Sequence, residues 1–191
     1  MRKILFIICW ALAGVGLYSC SLDEPSYGKT TSDNYYQKES DIEQALTGAY
    51  LQLRTTWNEY ALNHYFVGDC STDDALKGGG NDGDRAEVRD LSDFTIYTTN
   101  GEVGRRWEIL YRLINRCNDV IYYAPDAIGN EELLKRYANE AKALRAFGYY
   151  CLVTTFGEVP LITTPMQPAE ILQIPRSPLE KVYECIVNDL T

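Results

Sequence analysis

Histidine occurs once in the 191 residues, at His64, and methionine twice. A lone histidine, with no Cys-x-x-Cys or Cys/His spacing nearby, leaves neither the ligand cluster of a zinc site nor the partners of a histidine-based triad. Base is also scarce: 18 Lys and Arg stand against 27 Asp and Glu, a formal net charge of −9. No basic patch is interleaved with aromatics, and a net charge of this sign repels phosphate backbones, so nucleic acid is excluded as a partner. No apolar run reaches the roughly 20 residues that a membrane-spanning helix needs. The glycine-rich run at 78–84 lacks the Gly-Lys-Ser/Thr ending of a phosphate loop and the spacing of an EF-hand, and reads as a solvated loop. No metal and no cofactor is expected.

What the chain does have begins at its N-terminus. Arg2 and Lys3 precede an apolar run over residues 4–17, the pattern of a secretory signal peptide. Leu17-Tyr18-Ser19-Cys20 then has the form of a lipobox, with an aliphatic residue three places before the cysteine and a small one just before it. Cys20 is the expected lipidation site, since two or more acyl chains give stable anchoring. Residues 1–19 are thus read as signal peptide, and 20–40 as a lipidated polar tether that carries the acidic pair Asp23-Glu24. Without residues 1–19 the chain holds 16 basic and 27 acidic residues, a net charge of −11.

Of six cysteines, Cys9 leaves with the signal peptide and Cys20 is lipidated. Cys117, Cys151 and Cys185 lie within apolar helical patterns, where a small buried hydrophobe is expected. Cys70 is the fourth. Disulfides among these four remain open, because sequence does not pair them.

Apolar residues at spacings of three and four predict the helices. Ser40 or Asp41 caps a first helix to about Arg54, with Ile42, Ala45, Leu46, Ala49, Tyr50 and Leu53 on one stripe. A second runs over 102–124, burying Val103, Trp107, Leu110, Ile114, Cys117 and Ile121; Trp107 is assigned to the core. Asn130 caps a third over 131–155, apolar on most sides from Ala138 onward, where Gly148 lets a neighbour approach and Gly157 ends the helix. Arg145 in that apolar half calls for a buried acidic partner. Ser177-Pro178 opens a fourth helix, serine as cap and proline in its first turn. The segment 55–100 fits none of these patterns, and its latter half reads as a long loop. Trp107 and Ala141 are 34 residues apart, as are Leu110 and Leu144, the period of tetratricopeptide repeats. The expected fold is all-α: mostly helical, tetratricopeptide-like helix pairs with long loops. The last helix meets residue 191 without a terminator, so the N-terminal part of a larger α protein is expected, with residues 41–191 as its helical region.

These pieces together resemble the SusD/RagB family of outer-membrane lipoproteins. The strongest likeness is Asn139-Glu140-Ala141-Lys142-Ala143-Leu144-Arg145-Ala146-Phe147-Gly148-Tyr149-Tyr150, followed by Phe156-Gly157-Glu158-Val159-Pro160-Leu161. Trp107-x-x-Leu110-Tyr111-x-x-Ile114 with Cys117-Asn118 is similar to a second family motif, and the lipobox and Ser177-Pro178 fall in order. The resemblance implies a surface lipoprotein, anchored in the outer membrane, that binds oligosaccharides or polysaccharides and delivers them to a SusC-like TonB-dependent transporter. A peptide ligand or a purely protein-binding helical scaffold are the alternatives.

A glycan site needs aromatic faces beside hydroxyl-binding Asp, Asn or Arg. The segment 55–100 offers Trp57, Tyr60, Tyr65 and Tyr97 together with Asp73, Asp74 and Asn100, which are the candidate ligand residues. A glycoside hydrolase would instead need two facing carboxylates. Asp73 and Asp74 are adjacent and point to opposite faces if extended, so no catalytic residue is assigned and the protein is not expected to be an enzyme.

Overall fold

A computed structural model describes residues 35–54, 60–81 and 83–191, without the side chains of 60–62. The expected signal peptide, Cys20 and Trp57 lie outside the described residues. Seven α-helices follow in chain order among those described: α1 (Glu39–Tyr50), α2 (Tyr60–Gly68), α3 (Ala86–Ser92), α4 (Gly101–Tyr123), α5 (Glu131–Phe156), α6 (Pro168–Ile171) and α7 (Leu179–Leu190). The described residues contain no strand, only two isolated bridges, Lys38 with Ile128 and Val159 with Ser177.

The long helices α4 and α5, joined by a short link, pack along each other as the central pair. The first helix lies against both, α7 against α5, and α2 against α4. Buried apolar side chains form two clusters along this pair. One joins Ile42, Leu46 and Ala49 of α1 to Leu113, Cys117 and Val120 of α4 and to Leu134, Ala141 and Leu144 of α5. The other joins Ile109, Leu110 and Ile114 to Tyr149, Leu152, Val182 and Ile186. Gly148 sits where the central helices come closest. A Cβ there would stand 3.0 Å from Ile114 Cγ1, so any side chain would push the helices apart. Gly157 ends α5 with φ at 71°, in the left-handed region. No disulfide joins Cys70, Cys117, Cys151 or Cys185.

The helix ends follow the sequence with informative exceptions. The side chain of Asn130 accepts from the amides of Glu132 at 2.9 Å and Leu133 at 3.2 Å, capping α5. Helix α1 begins at Glu39 rather than after a Ser40 or Asp41 cap. Asp41 accepts instead from the Lys38 amide at 2.9 Å, and Glu39 from the Asn130 amide at 2.8 Å, which ties the starts of α1 and α5 together. Ser177 does not cap α7: its amide donates to the Val159 carbonyl at 3.0 Å. The segment 55–100 carries α2 in its first half, and the expected loop in its latter half is interrupted by the short helix α3. Helices α2 and α3 and a 3-10 turn at Asp69–Ser71 occupy much of 60–92, with bends at 72–74 and 79–81, irregular chain at 75–78 and a turn at 83–85.

Between the two apolar clusters lies the buried acidic partner that Arg145 called for. Its Nε and Nη2 donate to the two oxygens of Asp189 at 2.8 and 2.7 Å, the fork geometry in which a guanidinium meets a carboxylate best. Its Nη1 donates to Asn118 Oδ1 and to the Thr163 carbonyl, both at 2.9 Å. Asn118, fully buried, donates in turn to the Ile162 carbonyl at 2.9 Å. The Tyr149 hydroxyl donates to that carbonyl at 2.8 Å and accepts from the Ile162 amide at 2.7 Å, and Tyr111 donates to the Pro160 carbonyl at 2.7 Å. The extended residues 159–163 are thus held by side chains of α4 and α5.

Candidate functional site

The segment carrying the candidate ligand residues is fastened to the N-terminus of α4 by polar contacts. Asn100 caps that helix, its Oδ1 accepting from the amides of Glu102 at 3.1 Å and Val103 at 3.3 Å. Its Nδ2 donates to the Glu87 carbonyl of α3 at 2.9 Å. The Glu87 carboxylate accepts from the Gly101 amide at 2.9 Å, an anion at a helix start, where the dipole favours it. Glu102 is buried. It accepts from Asn63 of α2, Nδ2 to Oε2 at 3.2 Å, and pairs with Arg85 at 3.5 Å and Arg105 at 3.9 Å. Two guanidiniums and an amide thus offset the desolvation of its charge. Arg85, at φ 45°, adopts a left-handed backbone that costs a non-glycine residue energy. Its guanidinium lies 4.7 Å from the centroid of the Phe66 ring, which holds it there.

Arg106 is buried on the same helix. Its Nε donates to Thr155 Oγ1 at 2.9 Å and its Nη1 lies 3.1 Å from His64 Nδ1. A guanidinium only donates, so Nδ1 is the acceptor and the ring proton sits on Nε2. Burial, and then the Arg106 charge, hold the imidazole below its ordinary value. His64 is a structural acceptor, and among the described residues no group of three or more His, Cys, Asp or Glu is placed to hold a metal ion.

The seven sequence-predicted ligand residues divide. Tyr65 is exposed on α2, its ring 5.8 Å from that of Phe66. Asp73 and Asp74 are exposed just after the 3-10 turn. Tyr97 is 66% exposed and lies in an exposed stretch with Phe94 and Ile96. Tyr60 opens α2, and its side chain is outside the described residues, as is all of Trp57. Asn100 is 6% exposed, and its amide is committed to capping α4 and holding α3. It is a fastening residue and offers no free group to a ligand.

A second aromatic feature was not expected. Trp107, assigned to the core from its place on the apolar stripe, is 36% exposed at the rim of a cavity of about 400 Å³. It meets Phe156 edge-on at 5.2 Å and lies 4.8 Å from Tyr111. Tyr111, Pro160, Ile162 and Leu172 are among the residues that line it. The correction has a physical cause: the buried face of α4 runs through Glu102, Arg106, Ile109, Leu113, Cys117 and Val120. Two of these are charged, so an apolar stripe drawn without them is rotated towards Trp107. An apolar wall of this kind takes the flat, non-polar side of a ligand, while Asn115 at its edge takes a polar group.

Residues 21–191 match the family model described as SusD-like, starch-binding associating with outer membrane. The chain belongs to the SusD/RagB family. The SusD-like protein P2 of Formosa agariphila is 30% identical over 98% of this chain and 36% of its own length, and SusD-like protein P25 of the same organism is 26% identical over 98% and 37%. This SusD-like chain therefore spans little more than a third of the curated relatives it matches. Among solved structures it is similar to a laminarin binding SusD-like protein, with TM-score 0.71 and 30% identity over 81% of this chain and 33% of that one. It is also similar to surface glycan-binding protein A from Bacteroides uniformis, with TM-score 0.68 and 27% identity over 80% and 33%. Among the described residues, no helix of this SusD-like chain is long and apolar enough to cross a membrane.

Proposed function

We propose that the chain is the N-terminal part of a non-catalytic outer-membrane lipoprotein, tethered through Cys20, that binds oligosaccharides or polysaccharides and delivers them to a SusC-type TonB-dependent transporter. The observation that carries this reading is the match of residues 21–191 to a family described by starch binding at the outer membrane. Its helical frame resembles that of a laminarin binding protein. The described surface suits the role. Tyr65 and Tyr97 present exposed rings, and Asp73 and Asp74 lie in the same segment to accept hydroxyls. A lipidated cysteine following a cleaved segment 1–19, and a polar tether over 20–40, would let this surface stand clear of the bilayer.

Affinity gel electrophoresis of the full-length mature protein tests the reading, with laminarin, amylopectin, xylan and mannan in the gel and the glycan examined afterwards for cleavage. Retardation by one polymer, left intact, is expected. Alanine at Tyr97 or Tyr65 is expected to weaken it without lowering the melting temperature. Cleavage of the polymer would make the protein an enzyme, and migration unaffected by all four would remove glycan binding from the proposal. Cys20→Ala is expected to abolish labelling by a radioactive fatty acid and to release the protein from membranes; continued attachment would refute the anchor.

A further inference from the structure

Away from the segment 60–100, where α1 meets α4, a pocket of about 380 Å³ opens beside Tyr35 and Tyr36. Its two rings are fixed. Tyr36 stacks on Tyr123 at 4.4 Å and 6°, and Tyr35 stands edge-on to Tyr36 at 4.9 Å and 76°. The Tyr36 hydroxyl donates to Asp119 Oδ2 at 3.2 Å, and Asp119 lines the pocket with Oδ1 in no hydrogen bond among the described residues. Arg116 lies across Gly48, where an added Cβ would meet its Nη1 at 2.8 Å, and it forms no ion pair or hydrogen bond among the described residues. The amides of Gln44 and Asn115, which also line the pocket, make none either.

The pocket therefore holds one pure donor in Arg116, one open acceptor in Asp119, and two amides that do both, beside the flat of Tyr35. A sugar hydroxyl donates and accepts at once, so this mixture suits a polyhydroxylated ring. A phosphate does not suit it: Asp119 faces the pocket, and Arg112 on its wall is already paired with Glu108 at 2.7 Å. The polar lining is equally unsuited to an apolar helix or lipid chain. We propose that this pocket is a second carbohydrate-binding site, accepting one neutral pyranose residue of a glycan through Arg116, Asn115, Gln44 and Asp119. It lies on α1 and α4, apart from the exposed tyrosines of the 60–100 segment, so one glycan chain or two could engage the protein at separate points. The inference rests on the glycan-binding reading above.

The test uses the full-length mature protein in the same gels of laminarin, amylopectin, xylan and mannan. Arg116→Ala and Gln44→Ala remove exposed groups that bond to nothing among the described residues, and neither side chain lines the cavity beside Trp107. Ala45→Trp fills the pocket from its α1 wall. Arg116→Ala is expected to weaken retardation by the retained polymer by about tenfold, the factor for one lost charge-assisted contact, and the other two to weaken it as well, all with an unchanged melting temperature. Retardation of the wild type together with wild-type retardation of all three variants would overturn the second site and leave the glycan reading intact. A wild type that none of the four polymers retards would overturn both.

Discussion

Along α4 and α5, Leu110, Leu113, Leu144, Tyr149 and Leu152 are buried against one another and against α1 and α7. Between residues 63 and 99, by contrast, Cys70, Val88 and Leu91 are the only buried apolar residues among those described. That second region is held by Asn63, Arg85, Glu87 and Asn100, all bonded to the first turn of α4. The block relies on non-directional burial, spread over many side chains and hard to abolish with one change. The segment relies on a few directional contacts at one helix end. A ligand-bearing surface gains from the second arrangement, because a segment with little buried area can adjust while its attachment stays fixed.

The largest effect is expected inside the block. Arg145→Ala leaves Asp189, with a side chain only 6% exposed, as an unpaired buried charge. Removing one partner of such a pair costs about 3–5 kcal/mol. Urea denaturation followed by circular dichroism should show a cooperative loss of that order; a loss below about 1 kcal/mol would mean that water reaches the pair, contrary to its burial. A smaller, local effect is expected in the segment. Asn100→Ala removes a helix cap, worth about 1 kcal/mol, and also the bond to Glu87. Amide hydrogen exchange should rise in α3 and the first turn of α4 while the centres of α4 and α5 stay protected. Equal loosening of both would erase the distinction between the regions.

The smallest expected effect is one of pH. His64 is held below its ordinary value, so its folded state resists the proton more than the unfolded chain does. The stability this gives is present above about pH 6.5 and is lost as the pH falls below it, because the unfolded state then binds the proton first. The protonated ring could no longer accept from Arg106. Exchange in α2 should therefore rise as the pH falls below about 6.5, before the block responds, and His64→Gln, which keeps an acceptor, should remove that dependence.

The same contrast explains what could be read from the sequence. Helices α4, α5 and α7 were visible because their apolar residues recur with the helical period, and Gly157 and Asn130 mark ends. The buried partner of Arg145 was foreseeable because an arginine amid Ala and Leu must be paired. Its identity was not, since Asp189 is 44 residues away in the chain. Helices α2 and α3 were hidden because they are short and carry few buried apolar residues, and because the glycine-rich run between them reads as loop. Trp107 was misplaced because Glu102 and Arg106, charged yet buried, do not count in an apolar stripe. For the candidate site, the exposure of Tyr65 and Tyr97 follows from their segment's composition. The capping role of Asn100 was missed although asparagine just before a helix is its usual signal, because the helix was started at Glu102. The pocket beside Tyr36 joins residues 35–45 to 112–119, a long-range meeting that no local pattern announces.

The extended residues 159–163 have one more consequence. A stretch of chain in this conformation, with no sheet beside it, would ordinarily offer its backbone as a template on which another chain could add itself. Here Tyr149, Asn118, Tyr111 and Arg145 take up the polar groups of Pro160, Ile162 and Thr163, and Ser177 takes the Val159 carbonyl. Among the described residues, helix side chains and the Ser177 backbone thus occupy most of the polar groups that a second copy's strand would need.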